Sequence, residues 1–399
     1  MIKLNRRIAA IKPSATMAAE ARATEMKAAG IDVISLAAGE PDFDTPEHIK
    51  DAARRALAEG FTHYTPVSGT MALKQAICAK LARDSGLAYE PAEILASAGA
   101  KQAEANVIAA LFDEGDQVII PTPAWVSFVA MVNLSGAEAL LLPCPESDAF
   151  QLDPARLREV LTPRTRGILL NSPSNPTGAV YSAEQLAALA RVLLEHDLWI
   201  MSDDVYEHMS YDGPVAHLFA IEPRLKPRGI IFNSLSKTYA MTGWRIGFAA
   251  GPREVITAAS RLQSQNSGNP NSLTQVAAIE ALTGSQAEVA TMVAEFRARR
   301  ELTVRRIRAL PGFRLPHVPQ GAFYCFPNIS ALIGARLDGR TVTDGNALAD
   351  LILNEAQVAL VGGNDFGAPD HVRISYATSI ANLNRAFDRI EGLLKRLSA

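Results

Sequence analysis

Cysteine is scarce in this chain. Among 399 residues only Cys78, Cys144 and Cys325 carry thiols, and they lie far apart with no CxxC pair. Three thiols cannot all pair within one chain, so the expectation is a reducing compartment with the thiols as small buried apolar groups. Long apolar runs are absent as well. None reaches the ~18 residues that a membrane-spanning helix needs. The opening stretch MIKLNRRIAAIKPSA has no sustained apolar segment followed by a cleavage site, and the expected location is cytoplasmic. A strong charge of one sign is missing too. The net charge is −3, which argues against a broad nucleic-acid-binding field. Repeats and low-complexity linkers are not found.

What is present suits a globular protein with a large core: 48% hydrophobic and 20% charged residues. The length exceeds the roughly 250–300 residues at which one core stops growing, so two domains are expected. Short apolar runs at 117–121, 167–171, 198–202, 229–234 and 246–251 read as strands. Between them lie helix-like stretches such as 182–196, where Ser182 can cap the first turn and Leu186, Leu189 and Leu193 share a face. Continuous apolar runs such as ILLN and GIIF predict strands buried on both faces. The fold class is therefore α/β, a large domain with a mainly parallel sheet covered by helices. Towards the C-terminus the pattern changes. Residues 294–310 read as one long charged helix, 321–327 as a strand, and 380–397 as an amphipathic helix with Leu383, Phe387, Ile390 and Leu394 in register. The expected division is 1–44 as an N-terminal arm with part of a small domain, 45–290 as the large domain, and 291–399 as a small α+β domain. The arginine-rich stretch FRARRELTVRRIR reads as a solvated helix face.

Four segments carry chemistry, and each follows a strand. Ser234-Leu235-Ser236-Lys237 comes after GIIFN, with Arg245 eight residues on. In open α/β sheets ligands bind beyond the carboxyl ends of strands. Hydroxyls with a guanidinium suit a phosphate dianion, and the lysine is either another phosphate ligand or a nucleophile that forms a Schiff base with an aldehyde; an ordinary surface loop is the plainer alternative. Asp203 and Asp204 follow LWIMS. Being adjacent, they point to opposite faces, so only one can face a site. A carboxylate there could keep a pyridine nitrogen protonated, and Tyr206 could donate to a ring oxygen; a cap or a surface pair is the plainer alternative. The turn Asn171-Ser172-Pro173-Ser174-Asn175-Pro176-Thr177-Gly178 holds Asn175 rigidly at the sheet edge. Ser97-Ala98-Gly99-Ala100-Lys101 opens a helix with small residues, an anion-ready start. Trp125, in PTPAWVSF, is a core residue or a stacking platform.

Taken in order, LAAGEPDF from Leu36, then SPSNPTG, SDDVYEH, SLSKTYAMTGWRIGF and VRISYATS make the chain resemble the class I aminotransferases of pyridoxal phosphate (PLP) fold type I. The branch it resembles is the bacterial aspartate aminotransferases that include prephenate-using members, and the likeness covers nearly the whole chain. The resemblance implies a seven-stranded-type sheet, pyridoxal 5'-phosphate as cofactor and amino-group transfer by a ping-pong cycle. By matching motif it implies Lys237 as the lysine that carries the cofactor and shuttles a proton. Asp203 would hold the pyridine nitrogen, Tyr206 and Asn175 the ring oxygen, and Trp125 the ring face. Ser234, Ser236, Arg245 and the turn Gly99, Ala100, Lys101 would hold the phosphate. Tyr64 would reach the phosphate site of a neighbouring subunit in a homodimer with shared sites. Arg373 would clamp the substrate α-carboxylate with help from Asn175 and the Gly39 backbone. Lys101 would serve an acidic side chain, aspartate or glutamate with 2-oxoglutarate and related acceptors. Lys12 would help close the pocket and is associated in that branch with prephenate. The sequence departs from close relatives at Ala124, where they carry an aromatic, so prephenate or aromatic and aliphatic amino acids remain alternative substrates. A PLP-dependent lyase or decarboxylase and a PLP-sensing regulator remain rival readings, because one fold hosts many reactions.

Overall fold

The run GILLN shows how the sheet is filled. Ile168 and Leu170 join one core with Leu186, Leu189 and Leu193, while Leu169 joins another with Val107, Phe128 and Ile256. Successive strand residues face opposite sides, so a run apolar at every position needs a helical layer on each face. Each fully buried leucine or isoleucine contributes roughly 1.5–3 kcal/mol.

The computed structural model describes residues 5–11 and 13–398. Among them seven strands form the central sheet: β1 (Ile94–Ser97), β2 (Gln117–Thr122), β3 (Glu138–Pro143), β4 (Thr165–Asn171), β5 (Trp199–Asp203), β6 (Gly229–Ser234) and β7 (Gly247–Ala250). Their order is β1-β7-β6-β5-β4-β2-β3. Only the pairs made by β7 are antiparallel. The mainly parallel α/β sheet expected from sequence is the one that forms. The ends of β1, β2, β4, β5 and β6 consequently lie along one edge. The Ala183–Leu194 helix begins as expected, with Ser182 and Gln185 capping each other reciprocally.

A second core collects Phe296, Val304, Ile307, Ile374, Leu383, Phe387 and Ile390. Residues from near the N-terminus belong to it: Ile34 and Leu36 are buried there, and Ile34–Ser35 pairs in parallel with Val358–Ala359. A three-stranded antiparallel sheet of Val361–Gly362, Val372–Ser375 and Tyr324–Cys325 carries Arg373 towards the edge of the large sheet.

Three expectations need correction. The strand expected over 321–327 is reduced to Tyr324–Cys325. Ala322 has φ +54°, outside extended geometry, and a Cβ on Gly321 would lie 2.6 Å from Pro173, so the segment turns there to pack on the 171–178 loop. The long helix runs Ala287–Ala309 and its arginines are not all solvated. Arg299 and Arg300 are buried. Arg299 pairs with Asp42 at 2.6 Å and Glu295 at 3.0 Å, and Arg300 with Asp212 at 3.3 Å. Apart from Glu295, one turn back on the same helix, their partners lie far away in sequence or are aromatic faces such as Phe43 and Tyr211, and periodicity does not register these. Cys144 and Cys325 are buried as expected, whereas Cys78 is only half-buried.

Candidate active site

The cleft between the sheet edge and the second core encloses about 450 Å³. Lys237 enters it from the short Leu235–Thr238 helix that follows β6. Ser234 caps that helix, its hydroxyl accepting from the Ser236 backbone N–H at 3.1 Å and donating to the Ile246 carbonyl at 3.0 Å. The Lys237 ammonium donates to the Gly39 carbonyl. Burial pushes the amine down to about 8, against the opposing pull of the Glu40 carboxylate.

Asp203 ends β5 and lines the cleft, 4% exposed. Its Oδ1 accepts from the Val205 backbone N–H at 3.2 Å. Burial pushes its carboxyl up to about 7, with that N–H acting the other way. Asp204 turns to the opposite side, as strand alternation requires, and accepts from Ser202 Oγ at 2.6 Å with His217 Nδ1 at 3.3 Å. Behind it Lys80 pairs with Glu207, both buried.

Arg373 is 1% exposed. Nη1 donates to Asn175 Oδ1 at 3.0 Å and Nη2 to the Ala37 carbonyl at 2.7 Å, while Nε has no partner. The guanidinium lies 4.5 Å from the Tyr324 ring centre. Tyr324 and Tyr206 share a hydroxyl–hydroxyl hydrogen bond of 2.9 Å, and burial raises both phenols. Asn175 is held from below, its backbone N–H donating to Asn171 Oδ1 at 2.9 Å.

At the opposite end Arg245 adopts φ +55° and donates to the carbonyls of Thr242 at 2.9 Å and Ala98 at 3.2 Å. Gly99, at φ +93°, begins the Ala100–Leu111 helix, and a Cβ there would lie 2.5 Å from Arg245 Nη2. Glycine thus lets a guanidinium and a helix N-terminus converge, an arrangement suited to a phosphate. Trp125 follows β2 and packs edge-on against Phe128, with the Lys101 ammonium 4.8 Å from its ring centre.

The model of the family described as aminotransferase class I and II matches residues 31–390. The chain belongs to the class I and II aminotransferases. It is 47% identical to an aspartate aminotransferase of Geobacillus stearothermophilus over 99% of each chain. It is 46% identical to an aspartate/prephenate aminotransferase of Cereibacter sphaeroides over 100% of each. Among solved structures, the aspartate aminotransferase of Rhizobium meliloti superposes with a TM-score of 0.96 at 44% identity, covering 100% of each chain. That of Thermus thermophilus with maleate gives 0.92 at 42% identity, covering 98% of this chain and 100% of the other.

In this aminotransferase most residues singled out from sequence line one cleft: Gly39, Ala100, Lys101, Trp125, Asn175, Asp203, Tyr206, Ser234, Ser236, Lys237, Arg245 and Arg373. Gly99 touches it through Arg245. Tyr64 does not join it. It is 99% exposed and is not among the residues that line the cleft. Lys12 lies outside the described residues. Sequence reading missed Tyr324, hidden in a stretch read as a buried strand, and Glu104, a single acidic position in a helix-like run. It also missed Thr16, Met17 and Glu20 of the Ala15–Ala28 helix, whose composition shows no apolar stripe.

Proposed function

We propose that this aminotransferase carries pyridoxal phosphate on Lys237 and moves amino groups between acidic amino acids, aspartate above all, and 2-oxo acids. The observation that carries the proposal is the meeting of a half-buried lysine, a buried aspartate and a buried, incompletely paired arginine in one cleft.

The residues present fit the cofactor. The Gly99–Arg245 convergence sets a guanidinium beside a helix N-terminus, as a phosphate requires. Arg245, Ser236 and the backbone at 99–101 would hold the phosphate, with Ser234 holding Ser236 in place. Asp203 would hold the ring nitrogen, Tyr206 and Asn175 the ring oxygen, and Trp125 the ring face. When bound, the cofactor supplies an electron sink for the bond broken at the substrate Cα. The chain's own groups do the rest. Arg373 orients the α-carboxylate. Lys237, with its proton affinity lowered by burial, gives up its proton more readily than an ordinary lysine and can carry a proton to and from Cα. Asp203, ionised against the bound ring, keeps a proton on the ring nitrogen.

Preference for acidic substrates rests on Lys101, which lines the cleft and offers a second cation for a second carboxylate. The names of the relatives and the maleate-bound Thermus structure support it. A second reading, prephenate as acceptor, is favoured by the Cereibacter relative's name and by small, buried Ala124 next to Trp125. The exposed Leu57, Phe61, Tyr64 and Met71 support a homodimer in which Tyr64 serves the neighbouring site. The division near residues 45 and 290 and a cytoplasmic location, supported by three free thiols, belong to the same reading. A half-reaction screen tests the function. Each amino acid is mixed with loaded enzyme and the loss of cofactor absorbance is followed; aspartate and glutamate should react fastest. Preference for alanine or phenylalanine would overturn the substrate assignment.

A further inference from the structure

Four carboxyl side chains line the cleft: Glu20, Glu40, Glu104 and Asp203. Three have partners. Glu20 accepts from Ser35 Oγ at 2.6 Å, Glu40 from Thr242 Oγ1 at 2.7 Å, and Asp203 from the Val205 N–H at 3.2 Å. Glu104 differs. It is 1% exposed, its Oε2 is enclosed with no hydrogen-bond partner, and among the described residues no lysine, arginine or histidine pairs with it.

Helical spacing explains its position. Glu104 stands one turn beyond Ala100 and Lys101 on the Ala100–Leu111 helix, so the face that opens to the cleft includes all three. Among the charged groups that share the cleft with it are Asp203 at the end of β5, Lys101 on its own helix, and Lys237 from the segment after β6. Lys101 is drawn away over the Trp125 ring, and Lys237 donates to the Gly39 carbonyl. An ionised carboxylate left in this place would have neither water nor a paired cation. Buried groups in that condition neutralise. Burial, then the charge of Asp203, holds the Glu104 carboxyl well above the usual carboxylic range, with Lys101 acting weakly the other way. Two neighbouring buried carboxyls cannot both ionise easily, and their protons belong to the pair.

We propose that Glu104 is a positioning residue of the ring-nitrogen site, a neutral carboxylic acid that shares one proton with Asp203 so that the pair presents a single negative charge to the cofactor. This rests on the assignment of Asp203 to the ring nitrogen. With the proton on Glu104, Asp203 is free to be the ionised partner. Loss of that proton sets a second charge beside it.

The test uses full-length protein freed of cofactor, in wild-type form and as Glu104→Gln, Glu104→Leu and Asp203→Asn. A carboxyl protonated in the fold at pH values where it ionises in the unfolded chain makes stability fall as pH rises between the two values. From about pH 5 to about pH 8 the wild-type melting temperature should fall relative to Glu104→Gln by about 1–2 °C per pH unit. Glu104→Leu should follow Glu104→Gln, and it preserves the comparison if the amide variant does not fold. In the infrared near pH 7, the protonated-carboxyl stretch of the wild type should be stronger than that of Glu104→Gln, where Asp203 alone contributes to it. In Asp203→Asn that band should vanish at lower pH than in the wild type. Parallel melting curves, or infrared spectra of wild type and Glu104→Gln that coincide near pH 7, would overturn the proposal. A band indifferent to Asp203→Asn would refute the sharing. None of these readouts uses the cofactor, so a failure to label Lys237 would strike the cofactor assignment separately.

Discussion

Replacing Arg373 by lysine keeps the positive charge and removes the planar fork. A guanidinium has five N–H donors. Two of those on Arg373 are engaged, with Asn175 and the Ala37 carbonyl, and the others, the enclosed Nε–H among them, have no acceptor within the protein. A lysine ammonium could satisfy one of these partners and one substrate oxygen at best. The loss is about one charge-assisted hydrogen bond in a buried site, roughly 2–3 kcal/mol, or about 30–150-fold in kcat/KM. Arg373→Ala leaves the substrate carboxylate unpaired and should cost about 3–5 kcal/mol. Stopped-flow half-reactions with aspartate and with alanine provide the assay, with cofactor content measured first. Both donors should lose activity by the same factor, because both present the same α-carboxylate, and cofactor content should not change. A loss confined to aspartate would place Arg373 on the side chain instead. A loss below about fivefold with both donors would refute the clamp.

Lys101→Ala should lower kcat/KM for aspartate at least about tenfold, or 1.4 kcal/mol, and spare aliphatic donors; an equal loss for all would move Lys101 to the cofactor. Tyr64→Phe mixed with Lys237→Ala should recover activity above either variant once subunits exchange, and proven exchange without recovery would exclude shared sites. In cofactor-free protein, the depressed Lys237 amine should react with an acylating reagent at a rate that levels off near pH 8, well before an ordinary lysine. Here the unfolded chain holds the proton above pH 8 and the folded chain does not, so this group's contribution to stability rises with pH from about 8 to about 10.4; a flat pH profile in Lys237→Ala relative to wild type is the check. Lys80→Met removes the buried cation of Glu207 and leaves Asn233 as its hydrogen-bond donor, and the melting temperature should drop by about 4–6 °C.

The site was readable where its residues directly follow strands. Asn175, Asp203, Ser234, Lys237 and Trp125 each stand just beyond a run apolar enough to mark a buried strand, and the rule that ligands bind at strand ends collects them. Alternation also separated Asp203 from Asp204 correctly. The reading failed where position depends on distant packing. Tyr324 sits in GAFYCF, whose composition reads as core, and only the fold brings its hydroxyl to Tyr206 and its ring to Arg373. Glu104 interrupts a helix-like run in the way a solvated residue does. Nothing local tells that it shares a cleft with Asp203. Arg299 and Arg300 resemble their solvated neighbours, and their burial depends on Asp42 and Asp212. Tyr64 could be assigned only by resemblance, because its proposed partner is on another chain.

The central claim is that Lys237 carries the cofactor. Borohydride reduction of the loaded enzyme, digestion and peptide sequencing test it most directly. The account predicts one labelled peptide, with the cofactor fixed on Lys237 of SLSKTYAM. Label on Lys101 or any other lysine, or an unlabelled Lys237 in fully loaded protein, would contradict it.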